Sequence, residues 1–321
     1  MLQTIDLQLI LTPEQAGKRL DQALAEALPD FSRSRIKTWI DEGHVLVNGH
    51  IIKPREKILG GEQVDIKTHL TSEVRDCPEN LPLDVIAEDE HFLVINKPAA
   101  LTVHPGAGNP HGTLVNALLH HYPDLHLIPR AGIVHRLDKD TTGLMVIAKT
   151  LCAHTSFVNQ LQERTVKRTY QTVVGGTMTA GGSVNAPIAR HPKDRIKMAV
   201  VSNGKKAITH FRVLQKFRAH THVQVQLETG RTHQIRVHMA HIHHPVVGDK
   251  VYGGRFKLPP KITPQLQLLL RDFPRQALHA CRLGFLHPVT HEYVEWQASP
   301  PDDIVFLLNA LKQDFLEHSS S

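Results

Sequence analysis

From residue 20 the apolar positions Leu20, Ala23, Leu24, Ala27 and Leu28 recur at the three- and four-residue spacing of an amphipathic helix. Thr12-Pro13-Glu14 ahead of them reads as a helix start, with Thr as N-cap and Pro in the first turn, and Pro29 ends the run. A second helix is predicted from Ser32 or Ser34, with Ile36, Trp39 and Ile40 on one face and Gly43 as its stop. The period then shortens to two. "HVLVNGHIIK", residues 44–53, predicts a hairpin turning at Asn48-Gly49, and "EQVDIK", residues 62–67, a further strand.

Residues 68–82, "THLTSEVRDCPENLP", are polar, carry two prolines and show no periodicity, so they read as a linker. Beyond them come many short runs rich in β-branched residues: "FLVIN", "GIVH", "LMVIAK", "TYQTVVGG", "AITHFRVL", "HVQVQLETG" and "EYVEWQA". Helical patterns intervene at "LVNALLHHY", "SFVNQLQER" and "DIVFLLNALKQDFLEH". Strands outnumber helices and several follow one another through short turns. That favours an α+β class, with a mostly antiparallel mixed sheet flanked by helices. The expected division is a small first domain over 1–70, a linker over 71–82 and a large second domain over 83–321.

Composition narrows the setting. The 321 residues are 41% hydrophobic, enough for one large core and a smaller one, and the formal charge is +6. The charge is unevenly placed: Arg190 to Arg218 holds nine Lys/Arg and one acid, Asp194. Such a run is either a solvated surface or a phosphate-binding face. Arg33, Arg35 and Lys37 open the second helix, where cations oppose the helix dipole unless an anion faces them. Cys77, Cys152 and Cys281 stand far apart, which encodes neither a disulfide framework nor a thiolate metal site. The first fifteen residues hold neither a basic region nor a long apolar stretch, and no run of about 18 apolar residues occurs, so a cytoplasmic location away from membranes is expected. The histidines at 233, 238, 241, 243 and 244 crowd together without HExxH spacing. They are expected to be surface or RNA-facing imidazoles, with no metal.

The chemistry concentrates in "AGIVHRLDKDTTGLMVIAKT", residues 131–150. Two apolar runs, Gly132–Val134 and Leu144–Ala148, read as strands around a polar hinge, His135–Gly143. Thr141 and Thr142 can bond the local backbone, and Gly143 permits a backbone path that a side chain would obstruct. Asp138 would then stand on a rigid turn at the rim of a sheet, which suits a nucleophile or a base. Two other readings stay open on these residues alone. Asp138 and Asp140 could pair with Arg136 and Lys139 in a structural turn, or could act as the carboxylate pair of a glycoside hydrolase.

Two resemblances bear on the choice. The first module, through "RLDQALAEAL", "SRSRIKTWIDEGHVLVNG" and "ILGGEQVDI", resembles the S4 RNA-binding domain. "GIVHRLDKDTTGLMVIAKT" resembles the HRLDxxTxG signature of the RluA branch of the pseudouridine synthases. "KRTYQTVVGG" and "LETGRTHQIRVHMAHIHHPVVGDKVYGG" agree with it in order. "INKPAALTVHPGAGNPHGTLVNALLHHYP" and "APIARHPKDRIKMAV" are similar to the RluD type within that branch, which acts on the large ribosomal RNA. The resemblance implies isomerisation of uridine to pseudouridine with no cofactor, with Asp138 as the catalytic aspartate, Tyr170 as the ring under the uracil and Arg236 as the partner of Asp138. It implies RNA contacts from Arg136. The expected RNA-binding set adds Arg33, Arg35, Lys37, Lys167, Arg190, Arg195 and Lys197. The expected partner is large-subunit ribosomal RNA or a pre-ribosomal particle, met by a monomer. The alternatives are the same reaction at other RNA sites and a catalytically silent RNA-binding assembly factor.

Overall fold

The computed structural model describes residues 3–29, 31, 33–70, 77–106, 109–194, 196–254, 258 and 260–319. The first unit is a three-stranded antiparallel sheet, in the order β1 (Gln3–Ile10), β3 (Gln63–Leu70), β2 (Val45–Val47). Against it pack α1 (Leu20–Ala27) and α2 (Arg33–Asp41). Leu20, Leu24, Ile36, Trp39, Ile40, Val64 and Ile66 form its core, so the two predicted apolar helix faces meet one sheet face. Three expectations shift here. Pro13–Gln15 is a separate 3-10 turn and not the start of α1. The Asn48-Gly49 turn forms with both residues at positive φ, yet residues 50–53 make no second arm, and β2 pairs with β3 instead. β1 was unassigned, although Ile5, Leu7 and Leu9 alternate as a half-buried strand requires. Of the expected linker, 71–76 lie outside the described residues. Cys77 and Glu79 are bonded to Asn116, so 77–82 begin the second unit.

The second unit is built on a nine-stranded mixed sheet. Its strands are β4 (Val85–Glu88), β5 (Phe92–Lys97), β6 (Thr142–Ala148), β7 (Lys167–Gly175), β8 (Gly182–Asn185), β11 (Ile208–Lys216), β12 (His220–Leu227), β13 (Leu278–Leu286) and β14 (Tyr293–Gln297). The order is β4-β5-β6-β13-β7-β12-β11-β8, with β14 beside β13. β6 and β13 run parallel; the other pairs are antiparallel. β9 (Ile188–Arg190) and β10 (Met198–Val200) form a separate ribbon.

The helices are α3 (Leu114–His121), α4 (Leu151–Glu163), α5 (Gln234–His241), α6 (Pro264–Asp272) and α7 (Asp302–Ser319). Alternate residues of β5 and β6 enter different cores. Leu93, Ile95, Met145 and Ile147 face one, while Phe92, Val94, Leu144 and Val146 face another with Phe157 and Phe285. Every residue of β6 is buried, which is why its sequence is a continuous apolar run. The predicted strand at 132–134 is absent: Pro129–Gly132 is a 3-10 turn, and Ile133 makes a single bridge to Ile147.

Burial also sets an acid limit. His220 on β12 is 4% exposed, and burial lowers its pKa to about 4. Between about 6.5 and that value the unfolded chain takes up a proton that the native chain refuses, so stability falls as pH drops through the window. In urea melts, the loss from about pH 7 to about pH 4.5 is expected to be about 2–3 kcal/mol larger for the unmodified protein than for His220→Gln. Equal losses would contradict this role of His220.

Candidate active site

The turn that carries Asp138 is set by backbone anchors. Thr141 N–H donates to the Asp138 carbonyl at 3.0 Å. Lys97 Nζ donates to the carbonyls of Lys139, Pro98 and Leu101 at 2.8, 2.7 and 2.9 Å. Lys97 is fully buried, and burial pulls its pKa to about 7 against the opposing charges of Asp140 and Asp138. Arg275, gripped by Asp303, donates to the Asp140 carbonyl at 3.1 Å. Gly143 follows at φ +112°, where a Cβ would lie 2.3 Å from the Ala280 carbonyl oxygen. Only glycine lets β6 start this close to β13.

That start aligns the site. Gly143 pairs with Ala280, Ala280 with Tyr170, and Tyr170 with Val225, in one row across the sheet. Tyr170 therefore lies two strands from the Asp138 turn. Its ring is 5% exposed, and burial raises the phenol pKa, which keeps it a neutral hydroxyl. Arg236 comes from α5. Its Nη1 donates to Asp138 Oδ2 at 3.0 Å, while Nε and Nη2 hold Asp249 at 2.7 and 2.9 Å. Burial works to lower the Arg236 pKa, but the bonds and charges of Asp249 and Asp138 overcome it and raise the value. For Asp249 burial works upward, and Arg236 with the amides of Tyr252 and Val251 brings the net shift down.

His233 faces the free oxygen of Asp138, with Nε2 3.8 Å from Oδ1. The Tyr252 hydroxyl accepts from Met198 N at 2.8 Å and shares a second hydrogen bond with His233 Nδ1 at 2.7 Å. Burial lowers the His233 pKa, working against the pull of the nearby Asp138 charge.

Asp138, Tyr170 and Arg236 line one open cleft of about 930 Å³. That lies within the usual range for small-ligand sites, about 300–1,000 Å³. Arg130, Arg136, Arg164, Arg168, Arg231 and Arg236 line it against Asp138 and Glu228, so it favours anions. Asp140 does not line it, and Asp138 is paired with Arg236, not with its sequence neighbours. The glycosidase pair and the local structural turn both lose their footing.

The expected RNA contacts scatter. Arg136 is exposed at the cleft. Lys37 is exposed on α2, but Arg33 is held by Asp21. Arg35 is buried, with Nη2 donating to the Leu127 carbonyl of the second unit, so it ties the two units together. Lys167 lies over the Tyr293 ring, 4.8 Å from its centre, and does not line the cleft. Arg190 and Lys197 sit on or beside the β9–β10 ribbon, outside the cleft, with Lys197 Nζ 3.6 Å from Asp194. Arg195 lies outside the described residues. At the far end of the basic run, Arg218 is locked to Asp314.

The histidine cluster divides: His241 and His243 are exposed and His233 lines the cleft, but two others turn inward. His238 is fully buried between Thr209 Oγ1 and the Ala186 carbonyl, and His244 bonds the Gly175 carbonyl. Among the described residues no three His, Cys, Asp or Glu side chains converge as a metal site would require.

Residues 91–241 match the family described as RNA pseudouridylate synthase, and residues 18–64 match the S4 domain. The chain is 56% identical over 319 residues to the Ribosomal large subunit pseudouridine synthase D of Escherichia coli O6:H1, covering 99% of this chain and 98% of that protein. It is 55% identical over 315 residues to the protein of the same name from Haemophilus influenzae, covering 98% and 97%. Among solved structures, Human RNA Pseudouridylate Synthase Domain Containing 4 is similar with a TM-score of 0.56 and 26% identity, over 71% of this chain and 93% of that one.

Proposed function

The chain belongs to the RNA pseudouridylate synthase family, and from that premise we infer that its cleft isomerises uridines of large-subunit ribosomal RNA to pseudouridine. The single observation that carries the reading is the Asp138 carboxylate: one oxygen is fixed by Arg236, and the other faces an electropositive cleft of nucleotide size. The reaction breaks the N1–C1′ bond, turns the uracil and joins C5 to C1′. Redox state does not change. One carboxylate serves at the sugar, by attack on C1′ or by removal of the C2′ proton. Arg236 holds Oδ2, so Oδ1 is the oxygen presented to the ribose. Tyr170 supplies a flat ring for the uracil.

A stacked uridine cannot reach Asp138. Extruding it costs a few kcal/mol, which phosphate contacts offset. Arg136 at the cleft is placed to hold the RNA where the base leaves. Residues 1–70 add a second grip through the exposed face of α2, and linking two weak sites raises apparent affinity. We read the protein as a cytoplasmic monomer.

Pseudouridine mapping on transcripts incubated with the purified protein tests the substrate. Modification confined to large-subunit transcripts supports it, and modification of other RNAs alone overturns it. A second expectation concerns the grip. Lys37→Ala should weaken RNA binding about threefold to tenfold and lower the salt slope of log K by about one, leaving the rate at saturating enzyme unchanged. Unchanged affinity would remove α2 from the interface.

A further inference from the structure

The cleft wall holds a cation that the scheme above does not use. Arg168 stands two residues before Tyr170 on β7, so both side chains leave the same face of the strand. It is 7% exposed, and its Nε is buried without a hydrogen-bond partner. Its guanidinium lines the cleft beside Asp138 and Tyr170, and among the described residues no carboxylate lies within ion-pairing distance of it. Its neighbour His135 adds no charge of its own. Burial drives the pKa of that imidazole down to about 3, so the ring is neutral, and its Nε2 accepts from Val146 N. Space is also kept for Arg168: a Cβ on Gly230 would lie 2.7 Å from Nη1. A buried, unpaired guanidinium is costly, and the usual reason to retain one is an anion that arrives with the ligand.

We propose that Arg168 binds a carbonyl oxygen of the extruded uracil and stabilises the anion that forms when the N1–C1′ bond breaks. In that step the bonding pair goes to N1, and the charge spreads through the ring to O2 and O4. C5 then bonds to C1′ in place of N1, C5 loses its proton to solvent and N1 takes one up, so atoms and electrons balance without a further reactant. A phosphate is the other anion that a guanidinium could take. Burial beside Tyr170 favours the base, since backbone phosphates stay at the rim, where exposed Arg136 lies. Donors aimed at developing charge in a shielded site act chiefly on the rate. The proposal rests on the uridine sitting beside Asp138.

The test compares Arg168→Gln with the unmodified protein in single-turnover reactions at saturating enzyme. The rate should fall about 10²- to 10³-fold, with RNA affinity changed less than about threefold. Gly230→Ala, which crowds the guanidinium without removing its charge, should slow the same step. Arg168→Lys should restore part of the rate. RNA carrying 5-fluorouridine at the target gives the readout that a structural role would not move. Fluorine stabilises the departing base anion, so the deficit of Arg168→Gln in glycosidic rearrangement should shrink at least about tenfold. Weakened binding with an unchanged rate at saturation would mark a phosphate contact and overturn the proposal. An equal deficit on both RNAs would overturn it too. Asp138→Asn run alongside separates the failures: if that variant stays active, the site itself is misplaced, and if it is inactive while Arg168→Gln is unimpaired, only the role of Arg168 falls.

Discussion

Asp138→Asn is expected to lower the single-turnover rate of pseudouridine formation by at least about 10⁴-fold, about 5 kcal/mol of barrier, with the fold intact. The amide keeps the volume and still offers Arg236 Nη1 an oxygen at the 3.0 Å position of Oδ2. It cannot attack a sugar carbon or take its proton. The side chain is 16% exposed and, among the described residues, makes no other ion pair with a permanent cation, so stability should change by less than about 1 kcal/mol. RNA binding should hold or tighten, because a negative charge leaves a cleft that attracts a polyanion. Rapid-quench assays and filter binding on one ribosomal RNA transcript check both halves.

The second large effect is at a residue that touches no substrate. Asp249→Asn should cost about 3–5 kcal/mol of stability, because it leaves a 7%-exposed guanidinium without its two-pronged partner. Asp249 also accepts the amides of Val251 and Tyr252, and Tyr252 in turn sets His233. Losing that anchor frees both Arg236 and His233 from their places beside Asp138. Where the variant is fully folded, the rate should still drop about 10²-fold, since misplacement by about 1 Å is enough. Urea melts give the first number and single-turnover assays the second. A destabilised variant of full activity would show that Arg236 needs no such support.

These two residues mark how far the chain could be read before its fold was known. Asp138 was legible because its chemistry is local: a charged turn between apolar runs, ending in a glycine that proves indispensable at the β6–β13 contact. Asp249, Tyr252 and His233 were not, because their meaning is a set of contacts between α5 and a loop with no period of its own. Most strands announced themselves by alternation or by a continuous apolar run. β13 did not. Its "LHACRLGFL" mixes His, Cys, Arg and Gly, yet it is central because β6, β7 and β14 all pair with it. Tertiary pairing there overrides weak local preference. No described cation of the basic run at 190–218 lines the cleft. Its charge was real, but Arg218 went to Asp314 and Lys216 to a backbone carbonyl, and the cleft drew its cations from dispersed arginines instead.

The most direct test is hydrogen loss at C5. When C5 of the uracil joins C1′, its original hydrogen must leave, while the base stays attached to the RNA. A large-subunit ribosomal RNA transcript carrying tritium at uridine C5 should release one tritium per pseudouridine formed, with no free uracil, and none with Asp138→Asn. Free uracil in step with turnover, or equal release by that variant, would contradict isomerisation at Asp138.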